Sequence, residues 1–143
     1  MHVTARSDYA IRAMLVIAAH DPASVTAEIL ARAQQIPPSF LRGILTDLRR
    51  ANLVFAQRGN EGGFTLARRA EAIFVGDVLR AVGGGFTSVR GFSTADIVYF
   101  GEAAPLRAVW LDVEASIGAV VDTISLATLL APQAGVSPQQ QTA

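Results

Sequence analysis

Apolar residues recur at helical spacing from the start of the chain. Tyr9, Ala10, Ala13, Met14, Ile17 and Ala18 share a face, Thr4 or Ser7 stands where a cap is needed, and Asp21-Pro22 closes the run. This pattern predicts a first helix near residues 4–20. Thr26 is placed to cap a second, short helix, with Glu28 in its first turn and Ile29, Leu30 and Ala33 as its apolar face. Ile36-Pro37-Pro38-Ser39 then makes a tight connection, and Phe40, Leu41, Ile44, Leu45 and Leu48 mark a third helix running to about Ala51. Two helices joined by so short a turn predict a helix-turn-helix.

At about 100° per residue, the third helix divides cleanly into two faces. Its apolar residues cluster on one side, and Ser39, Arg42, Thr46, Arg49 and Arg50 fall on the other, with Asp47 to one flank. A face kept charged only for solubility usually mixes signs; this one holds three arginines and no acid, the footprint of a phosphate- and base-contacting surface. Leu53-Val54-Phe55-Ala56 and Phe64-Thr65-Leu66-Ala67 read as two short strands joined by a glycine-rich loop, a hairpin wing with Arg58 and Gly59 at its tip. Phe74, Val75, Val78, Leu79 and Val82 suggest a fourth helix, stopped by Gly83-Gly84-Gly85.

Residues 84–101 show little periodicity and read as an irregular linker. Pro105 then opens a long helix whose stripe of Leu106, Val109, Trp110, Val113, Ile117, Val120 and Val121 is wide and apolar. Such a stripe must be covered, either by folding back on the head or by a second copy across a two-fold axis, and the dimer is the more economical answer. The expected organisation is a winged helix-turn-helix head at 1–83, a linker at 84–101, dimerisation helices at 102–131 and a disordered tail at 132–143. The fold class is mostly α with one small β-hairpin.

Composition alters this picture in two ways. The formal net charge is zero, but residues 1–90 hold eleven arginines against seven carboxylates, and the remainder holds Arg107 against five, so a basic head adjoins an acidic body. Cysteine is absent, which removes disulfides, thiol nucleophiles, thiolate zinc sites and thiolate-held iron-sulfur clusters. The apolar C-terminal stretch is interrupted by Asp112, Glu114 and Asp122, so no membrane span is expected, and no apolar leader opens the chain, so a cytoplasmic location is. No nucleophile-base pair or metal cluster is visible, and Asp112 and Glu114, two apart, do not share a helix face; an enzyme is not expected.

Together these segments carry a family resemblance. The opening Thr4-Ala5-Arg6-Ser7-Asp8-Tyr9-Ala10-Ile11-Arg12-Ala13-Met14, the run Ile36-Pro37-Pro38-Ser39-Phe40-Leu41, and above all Arg58-Gly59-Asn60-Glu61-Gly62-Gly63-Phe64-Thr65-Leu66-Ala67 resemble Rrf2-family transcription regulators. Val75-Gly76-Asp77-Val78-Leu79-Arg80-Ala81-Val82 and Ile124-Ser125-Leu126-Ala127-Thr128-Leu129-Leu130 extend the match to about residue 130. The resemblance implies a symmetric dimer on a pseudo-palindromic double-stranded operator, usually repressing transcription. It places Ser39 and Arg42 at the DNA-reading end of the recognition helix, Arg49 or Arg50 on phosphate, and Arg58 in a minor groove. Many members carry three cysteines between the positions of Phe86 and Pro105; here Val89, Arg90, Phe92 and Ser93 stand in that segment, so the expected cofactor content is none.

In place of the cluster, that segment offers a candidate small-molecule effector pocket lined by Phe92, Tyr99, Phe100 and Trp110, since it combines aromatics with irregular backbone; the alternative is that these aromatics are simply core. The competing functional class is a winged helix that docks a protein partner rather than DNA, a use the same fold supports.

Overall fold

The computed structural model describes residues 1–60 and 62–132. Among the described residues, six α-helices and two hairpins follow in the order α1 (Ala5–His20), α2 (Ala27–Gln34), α3 (Pro38–Arg50), β1 (Val54–Gln57), β2 (Gly63–Leu66), α4 (Val75–Gly83), β3 (Ser88–Val89), β4 (Phe92–Ser93), α5 (Leu106–Val121) and α6 (Leu126–Leu130). The protein is thus mostly helical with small antiparallel hairpins, the expected fold class. The tail expected from Pro132 lies, from residue 133 onward, outside the described residues.

Helix α1 is the centre of the core. Ala10, Ala13, Met14 and Ile17 are fully buried, and around them close Leu30 of α2, Ile44 and Leu48 of α3, Val78 of α4 and Leu126 of α6. The small side chains of Ala10 and Ala13 leave room for neighbouring helices, and the larger residues fill the gaps at interior packing density. Thr4 caps α1 by accepting the Ser7 amide at 3.1 Å, and Thr26 caps α2 by accepting the Ile29 amide at 3.2 Å. Gln35, in the left-handed region at φ 53°, ends α2, and the Ile36 amide closes that end on the Ala31 carbonyl. Ile36 is 2% exposed and anchors the turn, while Pro38 opens α3 with its ring in the first turn.

The last helix departs from the expected organisation. Of the dimerisation helices expected at 102–131, α6 folds back onto the head, with its Ser125 paired across an isolated bridge to Phe74 and Leu126 fully buried against α1. Periodicity assigns Leu126 an apolar role without saying which body it completes. The linker is more ordered than its composition suggests, holding the β3–β4 pair and two 3₁₀ turns at Thr94–Asp96 and Gly101–Ala103.

Helix α5 contributes no buried residue. Val109 is 49% exposed, Val113 38% and Val120 58%, so the apolar stripe is left open along the helix. Polar ties hold it to the head and to the linker. Arg80 of α4 makes a two-pronged pair with Asp122 at 2.8 and 2.7 Å, Glu114 accepts the Phe86 amide at 3.3 Å, and Trp110 donates to the Tyr99 hydroxyl at 2.9 Å. The Arg80 guanidinium also lies over the Phe86 ring, 4.4 Å from its centroid. Gly76 makes room for this clamp, since a side chain there would collide with the Asp122 carboxylate.

Candidate nucleic-acid interface

The structure displays Ser39, Arg42, Arg49 and Arg50 as exposed side chains on α3, with Thr46 half-buried between them. Thr46 spends its hydroxyl proton on its own helix, donating to the Arg42 carbonyl at 3.0 Å. The opposite face, Leu41, Ile44, Leu45 and Leu48, is buried. Helix α3 is therefore fixed by its apolar side and offers its cationic side to whatever approaches.

The only acid on α3, Asp47, is drawn away from that face by an ion pair with Arg6 of α1. Arg6 also donates to the Val82 carbonyl of α4 at 3.3 Å, so a single guanidinium ties three helices together and neutralises the one charge that would repel phosphate. Arg12 does comparable work at the turn, donating to the Gln34 carbonyl at 2.9 Å and stacking 4.8 Å from the centroid of Tyr9. Neither role is visible in the sequence, since each depends on a partner far along the chain. Among the described residues Arg42, Arg49, Arg50 and Arg58 form no ion pair.

The wing pairs Val54 with Leu66, Phe55 with Thr65, Ala56 with Phe64 and Gln57 with Gly63, each strand shifted a residue from the expected bounds. Arg58 leaves β1 exposed, followed by Gly59 at φ +105°. The hairpin is seated on the helix-turn-helix by a bridge absent from the sequence reading: Val25, just before α2, exchanges backbone hydrogen bonds with Phe64 at 3.0 and 2.8 Å. Gly63 permits this approach. Its φ is +141°, and a Cβ there would lie 2.7 Å from the Val25 carbonyl oxygen. Wing and α2 are thereby held in one orientation relative to α3, as reading two grooves at once requires.

Between α2, α3 and the wing runs an open trough of about 660 Å³, lined by Ala31, Pro38, Leu41, Leu45, Ala56 and Phe64 and edged by Arg32, Arg42 and Arg49. A second concavity, of about 910 Å³, lies between α1, the 85–93 segment and α5. Of the four aromatics expected to line an effector pocket, Trp110 borders this cavity, whereas Phe92 and Phe100 are 60% and 84% exposed and Tyr99 instead accepts the Trp110 indole. The expected grouping is not formed, because β4 and the chain beyond it turn Phe92 and Phe100 outward. The cavity wall is made by Thr87, Ser88, Val89 and Arg90, residues that periodicity cannot single out.

A helix-turn-helix with a cationic reading face and an arginine-tipped wing defines a DNA-binding transcription regulator. The chain belongs to the Rrf2 family, described as iron-dependent transcriptional regulators, which it matches over residues 3–132. It is similar to the HTH-type transcriptional regulator Rv1287 of Mycobacterium tuberculosis, 42% identical over 128 residues that cover 89% of this chain and 80% of the relative. The HTH-type transcriptional regulator IscR of Vibrio atlanticus is 31% identical over 131 residues, covering 91% and 75%. Among solved structures, IscR of T. potens superposes with a TM-score of 0.74 at 29% identity, covering 96% of this chain and 93% of that one. CymR of B. subtilis gives the same TM-score at 24% identity, covering 90% and 95%, a likeness of fold. Family and relatives are regulators, not enzymes. No helix among the described residues is long and apolar enough to cross a membrane.

The iron in the family description finds no fitting donor set among the described residues. There is no cysteine, and among the described residues no three His, Asp or Glu side chains converge. The cavity beside residues 87–91 presents hydroxyls, the Arg90 guanidinium and the single imidazole of His2, and one imidazole without thiolates does not hold an iron-sulfur cluster.

Proposed function

We propose that this regulator acts in the cytoplasm as a homodimeric repressor, binding a pseudo-palindromic operator without a cluster. The observation that carries the reading is the division of labour on α3: every acid is removed from the face that keeps Ser39, Arg42, Thr46, Arg49 and Arg50. In this reading Arg42 and Ser39 address base edges in the major groove, Arg49 and Arg50 meet phosphates, and Arg58 with Gly59 enters the neighbouring minor groove. Leu106, Val109, Trp110, Val113, Ile117, Val120 and Val121 form the dimer interface, and the unburied α5 supports it. A two-fold pair of helices covers such a stripe and sets two recognition helices on one side of a duplex. A small-molecule effector that shifts head against arm would act from the 910 Å³ cavity beside Trp110, where the two meet.

The test is a fluorescence anisotropy titration against DNA from upstream of the protein's own gene and against a scrambled duplex, with sedimentation of the complex. Selective binding of two protomers per duplex is expected. A lone protomer bound equally to both duplexes would refute the operator reading and favour the protein-docking alternative.

A further inference from the structure

The trough between α2, α3 and the wing has a chemistry that DNA binding does not explain. Leu41 and Leu45 form its floor, and Ala31, Pro38, Ala56 and Phe64 its walls. Three guanidiniums stand around it, and the one carboxylate among its lining residues, Glu28, is already held by Arg32 at 2.6 Å. Arg42 and Arg49 keep no counter-charge among the described residues. A duplex offers such a site phosphates for the arginines but little apolar body for the trough. At about 660 Å³ the space falls within the range of small-ligand pockets.

We infer that this trough binds an anionic amphiphile, a carboxylate on a short aliphatic or aromatic body, and that its occupancy excludes operator DNA. The tail lies over Leu41, Leu45 and Phe64, where removing apolar surface from water drives binding, and the head pairs with Arg42 and Arg49. Those two arginines belong to the DNA-reading face, so ligand and operator compete for the same charges. Derepression then needs no conformational change, because the ligand occupies the interface itself. The inference rests on the DNA-binding reading for its consequence, but binding of the ligand to the free protein is independent of it.

The probe is decanoate below its self-association concentration, with decanol and decyltrimethylammonium as neutral and cationic counterparts. Titrated into ¹⁵N-labelled full-length protein, decanoate should shift amide signals of Ala31, Leu45, Ala56 and Phe64, with decanol weaker and the cation without effect. In operator titrations a competitor at ten times its own Kd raises the apparent operator Kd about 11-fold and goes on raising it in proportion. Ala31→Phe, which fills the trough from α2, should abolish decanoate binding and leave operator affinity within about twofold, taking tenfold as 1.4 kcal/mol; Ala27→Leu, at its rim, serves if Ala31→Phe fails to fold. Absence of shifts at the trough, or a plateau in the operator Kd, overturns the inference while the regulator reading stands. Trough shifts with no operator bound by the free protein would instead overturn the regulator reading.

Discussion

Replacing Gly63 with alanine tests how the wing is seated. Two costs are separable at this position. Placing an L-residue at φ +141° strains the backbone by roughly 1–3 kcal/mol, and the new Cβ would lie 2.7 Å from the Val25 carbonyl oxygen. That contact is with backbone, so it is relieved only by moving β2 away from Val25. The move breaks both hydrogen bonds between Val25 and Phe64, each worth about 1 kcal/mol net. The expected destabilisation is therefore about 3–5 kcal/mol, the sum of strain and the two lost bonds. Gly59→Ala in the same hairpin is the internal control, because its φ is +105° but nothing lies within 4 Å of the added methyl. It should cost only the strain. Urea unfolding of the three proteins reads the difference, and operator affinity should fall at least tenfold in Gly63→Ala, since the wing no longer keeps its angle to α3. Equal destabilisation by the two substitutions would refute the argument that the Val25 bridge seats the wing.

Three further outcomes follow from named contacts. Arg58→Ala leaves unfolding midpoints unchanged, as Arg58 is exposed without an ion pair among the described residues, and weakens operator binding about tenfold in anisotropy titrations. Val113→Asp, in the middle of the open stripe, shifts sedimentation at micromolar concentration from dimer to monomer, and an unchanged dimer would move the interface off α5. Hydrogen bonds from Arg80 hold the Asp122 carboxyl below the usual carboxylate range, so the pair's contribution is complete above that range and is lost as pH falls through the lowered value. Asp122→Asn should accordingly be slightly less stable than the parent at pH 7, with the gap closing below about pH 4; a gap independent of pH would show that the charge is not what matters.

The recognition helix was legible because a single periodicity, about 100° per residue, separates Leu41, Ile44, Leu45 and Leu48 from the arginines. The wing was legible because glycine and β-propensity are local signals, though its strands begin and end a residue away from where composition placed them. What could not be read is whatever depends on two distant segments meeting. Arg6 with Asp47, Arg80 with Asp122 and Val25 with Phe64 are separated by 41, 42 and 39 positions, and nothing in their local sequence distinguishes them from surface residues. Leu126 was grouped with the arm because an apolar residue declares that it is covered but not by what; α6 in fact completes the head. The aromatics failed as pocket markers for the opposite reason: side-chain type says nothing of direction in irregular backbone, and Phe100 points outward.

The central claim is that the arginines of α3 and the wing meet phosphates and bases of a two-fold operator. Selection from a random duplex library with the full-length protein, followed by titration of the selected duplex at several salt concentrations, tests it wherever the natural operator lies. The two phosphate-facing arginines of each protomer, Arg49 and Arg50, make about four phosphate contacts in a dimer, and the logarithm of affinity should fall with that of salt at a slope of about −4. The account predicts enrichment of a pseudo-palindrome with such a slope, flattened when these arginines are replaced by alanine. No enriched sequence, or a slope near zero that the substitutions leave unchanged, would contradict it.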